Sequence, residues 1–172
     1  VIFQMTYVGA PMVYYGDEVG MWGANDPDDR KPMIWPDIDY DDERALPNGG
    51  LRPLDKADEV AVNINLQNHY KKMIGIRNCH KSLQIGEYKT LLADDQTSVF
   101  AFQRKLGEEV IWVVLNNSDK PQQVVLPSSA YKHFVDLLND KTLQSKQGQL
   151  ELMLPARWGS VLNASGNEMH KP

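Results

Sequence analysis

The sequence predicts a mainly β protein, in which a C-terminal antiparallel β-sandwich follows a single β/α unit. Short apolar segments recur between residues 83 and 163 with turn residues between them, which is the pattern of an antiparallel sandwich. Residues 62–80 instead carry apolar side chains at helical spacing. Met12–Tyr15 is a short apolar run without alternation, as expected of a strand buried on both faces of a parallel sheet.

The first zone begins with an apolar segment, residues 1–8, which predicts the end of a helix and is broken by Gly9-Ala10-Pro11. The predicted strand at Met12–Tyr15 closes at Gly16. A strand of this type needs parallel neighbours, and we find none elsewhere in the sequence. A long polar stretch, residues 17–53, follows. Loops of that length are rare in compact domains unless they are functional or disordered, so this stretch is the place to look for a site.

One helix is predicted over residues 62–80. Its apolar positions lie on one face and are Leu66, Tyr70, Met73 and Ile74. Asn63 or Asn65 is expected to cap its start, because an asparagine side chain accepts a hydrogen bond from an N–H group of the first turn. The single cysteine, Cys79, is predicted to be a buried or half-buried structural thiol, and its being alone excludes an intramolecular disulfide.

The third zone is predicted to contain only β-strands. The candidates are residues 87–93, 97–105, 110–116, 122–126, 133–138, 150–154 and 160–163. Val110–Asn116 is the densest apolar run and is therefore the expected central strand. The aromatic side chains Phe100, Phe102 and Trp112 are interpreted as core residues.

Composition limits the function classes. Of the 172 residues, 42% are hydrophobic and 24% are charged, which is the balance of an ordinary globular chain with one domain or slightly more. The net charge of -5 argues against a nucleic-acid partner. No apolar run approaches the length of a membrane span, so no membrane partner is predicted.

Two groups of polar residues in the first zone have the chemistry of a site. Asp17 and Glu18 follow the predicted strand, where they either serve an active site or merely satisfy local partners. Asp26 and Arg30 can clamp sugar hydroxyls, because carboxylate and guanidinium groups hydrogen-bond to vicinal diols. The alternative is a rigid loop in which Asp26 and Arg30 form an internal ion pair. The two interpretations are compatible, because an ion-paired loop can also bind a sugar. The nearby tryptophans, Trp22 and Trp35, offer faces on which a pyranose ring can stack.

No metal site is predicted. Residues 37–41 imitate the start of an EF-hand loop, but Asp42 stands where glycine is required and Asn48 stands where a bidentate glutamate is required. A solvated acidic loop is the default interpretation, with a looser cation site as the alternative. The four histidines lack metal-binding spacing.

Specific motifs in the first zone resemble the α-amylase family of glycosidases. The eighth barrel strand and its loop are matched by Gly9-x-Pro11-x-x-Tyr14-Tyr15-Gly16-Asp17-Glu18-x-Gly20-Met21. The continuation is similar to the cyclomaltodextrinase and neopullulanase branch, through Asp26-Pro27-x-x-Arg30-x-x-Met33-x-Trp35. The predicted helix resembles the last barrel helix, and residues 110–118 and 152–162 resemble the family's C-terminal sandwich.

The resemblance implies a domain organisation and a substrate. Residues 1–82 are expected to be a remnant of a (β/α)8 barrel, namely its last β/α unit, and residues 83–172 are expected to be the C-terminal antiparallel sandwich. Such a barrel needs roughly 250 residues. The start at Val1 rather than methionine also indicates a fragment. In the family, residues matching Asp26 and Arg30 bind the glucose units on the non-reducing side of the cleaved bond, so we predict substrate binding for this pair.

The resemblance assigns no catalytic residue to this chain. The family's retaining mechanism uses carboxylates from barrel strands four, five and seven, and no residue here matches those motifs. The chain alone is therefore predicted to be inactive, within a parent that hydrolyses α-1,4 links in maltooligosaccharides, cyclodextrins or pullulan. No cofactor is predicted, although calcium is left open for the parent. The expected partner is an α-glucan oligosaccharide, with homo-oligomerisation left open.

Two alternatives remain at this stage. The chain can be a non-catalytic module, in which the sandwich stabilises a larger protein or binds carbohydrate weakly. It can also belong to a family member with different chemistry, either a glucosyltransferase or a trehalose-forming isomerase.

Overall fold

The computed structural model describes residues 1–23, 26–46 and 49–165, which divide into two compact units. The sandwich unit consists of residues 1–11 and the chain from residue 72 onward, and the loop unit consists of residues 12–71. The predicted domain boundary between residues 82 and 83 stays a prediction. It lies within the short helix that leads into the first strand of the sandwich.

Two antiparallel sheets make up the sandwich, as predicted. Their strands are β1 (Glu87–Asp94), β2 (Val99–Leu106), β3 (Glu109–Asn116), β4 (Gln122–Pro127), β5 (His133–Asp136), β6 (Lys141–Gln144), β7 (Gln149–Leu154) and β8 (Trp158–Ser165). Six strands form one sheet in the order β1-β2-β3-β8-β5-β6, and β4 pairs with β7 in the other. The central position predicted for β3 is confirmed, because it pairs with both β2 and β8.

The core of the sandwich lies between these sheets and follows the two-residue period of each strand. In β7 the buried leucines Leu150, Leu152 and Leu154 alternate with exposed residues. The ring of Trp112 lies 5.1 Å from that of Phe134, and both belong to this core. The core role predicted for Trp112 is therefore confirmed.

The other face of the large sheet is covered by two short helices, α1 (Ile2–Thr6) and α3 (Lys81–Ile85). Aromatic side chains fill this contact: Phe3 stacks on Tyr7 at 4.5 Å, and Tyr7 meets the edge of Phe102 at 5.7 Å. Phe102 is fully buried, so its predicted core position is also confirmed. The helix end predicted within residues 1–8 is confirmed as α1.

Two buried arginines bind backbone carbonyl groups beside these helices. Arg104 donates from Nη1 to the carbonyl oxygens of Thr6 and Leu83, at 2.9 and 3.0 Å. Arg77 donates to the carbonyl oxygens of Met5 and Gly9, at 2.8 and 2.6 Å. Burial lowers the pKa of both guanidinium groups, and the charge of Arg77 lowers the pKa of Arg104 further. The carbonyl oxygens compensate for the lost hydration and tie the segment after α1 to the sandwich.

The long helix α2 (Ile64–Cys79) confirms the predicted helix within two residues at each end. Asn63 caps it, because its Oδ1 accepts a hydrogen bond from the N–H of Leu66 at 3.0 Å. The prediction that Cys79 is buried or half-buried is wrong, since the thiol is exposed. The buried side of α2 runs through Tyr70, Met73 and Arg77, and a residue two positions after Arg77 points away from it.

The predicted strand at Met12–Tyr15 is wrong, because these residues have an irregular backbone. Met12 is 75% exposed and Tyr14 is 45% exposed, although the run is apolar. A strand of a parallel sheet needs a parallel neighbour to pair with its backbone, and all the strand pairing that the described residues show in sheets is antiparallel and lies in the sandwich. None of the described helices is long and apolar enough to span a membrane.

Candidate functional site

The loop unit carries the predicted site, and its first feature is a tight turn at Gly16. Gly16 has a φ of 94°, and a Cβ there would lie 2.5 Å from Sδ of Met21, so a larger residue does not fit. The N–H of Gly16 donates to Oε2 of Glu18 at 2.9 Å. Glu18 therefore accepts a hydrogen bond from the backbone of its own turn. This agrees with the interpretation that the carboxylate satisfies a local partner.

The Asp26–Arg30 pair is present as an ion pair between Oδ1 of Asp26 and Nη2 of Arg30. The side chains of Arg30 and Asp26 are 61% and 68% exposed, and Nε of Arg30 lies 4.0 Å from Asp29. An ion pair this exposed contributes little to stability and exchanges partners readily. The guanidinium carries five N–H donors, more than these two contacts use.

A cavity of about 300 Å³ lies in the same unit. Its polar and aromatic walls are Tyr14, Tyr15, Asp17, Trp22, Asp29 and Lys31, with Gly16, Met21 and Gly23 completing the lining. The hydroxyl of Tyr15 donates to the carbonyl oxygen of Lys31 at 2.8 Å, which joins the two loop segments. Asp26 and Arg30 are not among the lining residues, whereas Asp29 is.

A second cavity, of about 270 Å³, shares Met21, Trp22 and Lys31 with the first. Lys31 forms an ion pair with Glu43 at its wall. The guanidinium of Arg52 lies 5.4 Å from the centre of the Trp22 ring, so a cation occupies one face of this tryptophan. Trp35 is 54% exposed and retains an accessible surface. The predicted stacking roles of Trp22 and Trp35 stay predictions.

Carboxylates set the electrostatics near the first cavity. Burial raises the pKa of Tyr70, and the negative charges of Asp17 and Glu18 raise it further. Because its pKa is raised above the ordinary tyrosine value, Tyr70 is neutral at neutral pH. Within the described residues, no group of three His, Cys, Asp or Glu side chains is arranged to hold a metal ion. Asn48, one of the residues on which the EF-hand comparison rests, lies outside the described residues.

Sequence reasoning missed four of the polar and aromatic residues that line the first cavity: Tyr14, Tyr15, Asp29 and Lys31. The strand prediction concealed Tyr14 and Tyr15, because it placed both in a buried run. Asp29 was overlooked because it lies between the two residues of the predicted pair. Lys31 contacts Glu43 across 12 positions, and no local pattern reveals a contact of that kind.

Comparison with known proteins decides the family. Residues 88–158 match the profile of the family described as maltogenic amylase, C-terminal domain. The chain is 38% identical over 164 residues to neopullulanase 2 of Thermoactinomyces vulgaris, a match that covers 94% of this chain and 24% of that protein. The chain belongs to the α-amylase family. Its resemblance to the neopullulanase and cyclomaltodextrinase branch is confirmed by this relative and by those that follow.

Two further α-amylase-family relatives agree with this assignment. A cyclomaltodextrinase of Geobacillus thermopakistaniensis (strain MAS1) is 31% identical over 164 residues, covering 95% of this chain and 24% of that protein. The solved structure of a cyclomaltodextrinase superposes with a TM-score of 0.73 and 26% identity, over 95% of this chain and 24% of that chain. The chain thus spans about a quarter of the length of each of these relatives.

Proposed function

We propose that these residues supply the C-terminal region of a glycoside hydrolase that cleaves α-1,4 links in maltooligosaccharides, cyclodextrins or pullulan. In this proposal residues 1–82 belong to the last β/α unit of the catalytic barrel, and residues 83–172 form the sandwich that follows it. The similarity to neopullulanase 2 supports it, because that match runs through both parts of the chain.

The observation that carries the proposed role in substrate binding is the exposed Asp26–Arg30 ion pair. Its carboxylate accepts hydrogen bonds from sugar hydroxyl groups, and its guanidinium donates to hydroxyl oxygens from a planar fork. Each group already faces a polar partner at the surface, so little desolvation is needed when a glucose unit inserts between them. The pair therefore suits a glucose unit with two adjacent hydroxyl groups.

Bond cleavage in the proposed enzyme follows the retaining scheme. A carboxylate nucleophile and a carboxylic acid that protonates the leaving oxygen lie on opposite sides of the glycosidic bond, about 5 Å apart. We assign neither role to a residue of this chain. Asp26 and Arg30 instead fix the glucose units beyond the cleaved bond, which keeps that bond in register with the reacting carboxylates.

Calorimetric titration of the 172-residue chain with maltoheptaose tests the binding role. We expect saturable binding that weakens about tenfold or more in Arg30→Gln and Asp26→Asn, since each variant removes a charged hydrogen bond. Lys56→Gln is the matched control, because Lys56 is an exposed cation of the same unit. Equal affinity in Arg30→Gln, Asp26→Asn and the wild type would refute the role of the pair.

A further inference from the structure

The first cavity of the loop unit is lined by three polar groups that accept or donate no hydrogen bond within the described part of the chain. They are the hydroxyl of Tyr14 and the carboxylates of Asp17 and Asp29. All three residues are exposed, and the side chain of Asp29 is 53% exposed. A ligand in this cavity therefore meets polar groups whose hydrogen-bonding capacity is still available.

The walls of this cavity are fixed by contacts among its own residues. The rings of Tyr14 and Tyr15 contact each other, with their centres 4.9 Å apart and their planes tilted by 44°. The backbone N–H of Asp17 donates to the carbonyl oxygen of Tyr14 at 3.1 Å, and the hydroxyl of Tyr15 donates to the carbonyl oxygen of Lys31 at 2.8 Å. Groups held in this way need little rearrangement when a ligand binds.

The charges around this cavity disfavour an anionic ligand. Lys31 is the one cation among the described lining residues, and its ammonium group forms an ion pair with Glu43. The carboxylate of Asp17 has no cation partner among the described residues. Because like charges repel, the unpaired carboxylate opposes the entry of a phosphate group. The cavity instead suits an uncharged molecule that offers several O–H donors.

Asp29 connects this cavity with the Asp26–Arg30 pair. Its Oδ1 lies 4.0 Å from Nε of Arg30, while Nη2 of Arg30 binds Asp26. A molecule held by the pair therefore adjoins one wall of the cavity. The cavity volume of about 300 Å³ is at the lower end of the range of ligand pockets, about 300–1,000 Å³. It accordingly suits one or two sugar rings rather than a long segment of a polymer.

We propose that Tyr14, Asp17 and Asp29 bind the glucose unit next to the one that Asp26 and Arg30 hold. The choice of an α-glucan as ligand rests on the proposed function. The two carboxylates accept hydrogen bonds from sugar hydroxyl groups, and the tyrosine hydroxyl donates to a sugar oxygen or accepts from a hydroxyl group. The cavity thereby extends the substrate site and makes it prefer neutral glucans to phosphorylated ones.

Calorimetric titration of the 172-residue chain with maltoheptaose tests these contacts. Tyr14→Phe removes only a hydroxyl group and should weaken binding about fivefold, whereas Asp17→Asn removes a charged acceptor and should weaken it about tenfold. Asp55→Asn is the matched control, since Asp55 is an exposed carboxylate of the same unit outside both cavities, and its affinity should equal that of the wild type. The exposure of Tyr14 and Asp17 predicts unchanged thermal unfolding in their variants.

The preference for a neutral ligand is tested with maltose and maltose 1-phosphate, which differ only in the charged group. We expect maltose to bind more tightly. Asp29→Asn should narrow the difference between the two ligands, because it removes a carboxylate that accepts from the sugar and repels the phosphate. Equal or tighter binding of maltose 1-phosphate by the wild type would contradict the proposal.

The titrations also distinguish this inference from the proposed function. Weaker maltoheptaose binding in Arg30→Gln and in both Tyr14→Phe and Asp17→Asn supports one continuous site. If only Arg30→Gln weakens binding, the role of the pair stands and the cavity is refuted as a sugar site. If only Tyr14→Phe and Asp17→Asn weaken it, the cavity stands and the role of the pair is refuted. If the wild type binds no maltoheptaose, both are refuted.

Discussion

At the scale of single residues, the buried arginines Arg77 and Arg104 of the sandwich unit bind backbone carbonyl groups rather than carboxylates. Arg104 is 1% exposed and donates four hydrogen bonds to carbonyl oxygens, those of Thr6, Tyr7, Leu83 and Gly86. These carbonyl groups follow or end short helical turns, where they lack partners within the helix. One guanidinium fork therefore satisfies the ends of two helices at once.

Replacing Arg104 with methionine is expected to destabilise the fold. Methionine fills much of the same volume but leaves buried carbonyl groups without donors, at a cost of about 3 kcal/mol in the free energy of unfolding. Urea denaturation followed by circular dichroism measures this change. Arg30→Met serves as the control, and it should change the unfolding free energy by less than about 0.5 kcal/mol, because Arg30 is exposed. Similar losses in the two variants would show that Arg104 has no special role.

The carboxylate of Glu109 links helix α3 to the start of β3. Its Oε2 accepts a hydrogen bond from the N–H of Ser82 at 2.6 Å, and its Oε1 lies 2.9 Å from Nδ1 of His80. Burial favours the neutral acid, but these hydrogen bonds outweigh burial and hold the pKa of Glu109 below its ordinary value. The folded state therefore stabilises the ionised form of the Glu109 side chain relative to the unfolded chain.

This lowered pKa predicts a loss of stability in acid. The contribution of Glu109 is fully present above the pKa of an unfolded glutamate, about 4.3, and is lost as the pH falls through the lower pKa of the folded state. Glu109→Gln should therefore be less stable than the wild type near about pH 6, with the difference shrinking towards about pH 3. Thermal unfolding at a series of pH values measures it. A difference that widens on acidification would contradict the assignment.

At the scale of elements, the sequence predicts most of the sandwich because each strand carries its own pattern of burial. β7 alternates strictly between buried and exposed residues, and β3 carries an unbroken apolar run from Val110 to Leu115. The strand β6 was missed because only Leu143 in it is even partly buried, so an edge strand of this kind has no hydrophobic period to detect. The prediction for Met12–Tyr15 was wrong for the opposite reason: the segment has a strand-like apolar pattern, but no strand of the described residues pairs with it.

The cap of helix α2 is the element-scale feature that the sequence left undecided between two asparagines. Asn63→Ala should lower the free energy of unfolding by about 1 kcal/mol, because it removes the acceptor for the N–H of Leu66. Asn65→Ala is the matched control at the second residue of the helix, where alanine should be neutral or slightly stabilising. Urea unfolding of both variants measures the difference. Equal stability of the two would mean that Asn63 does not cap the helix.

At the scale of the whole molecule, the candidate site was only partly predictable. The Asp26–Arg30 pair lies within five consecutive residues, so residue types and spacing were enough to suggest it. The two cavities depend instead on contacts between distant residues, such as the ion pair of Lys31 with Glu43 and that of Arg52 with Asp58. No spacing rule predicts such contacts.

The central claim, that these residues bind substrate for an α-glucan hydrolase, is tested most directly by kcat/KM on maltoheptaose in the whole protein that carries them. Arg30→Ala should lower kcat/KM about a hundredfold, because the sugar is held less well in register with the cleaved bond. Lys56→Ala should leave it unchanged, and both variants should unfold at the temperature of the wild type. Unaltered kcat/KM in Arg30→Ala, or a whole protein that releases no sugar from maltoheptaose, would contradict the account.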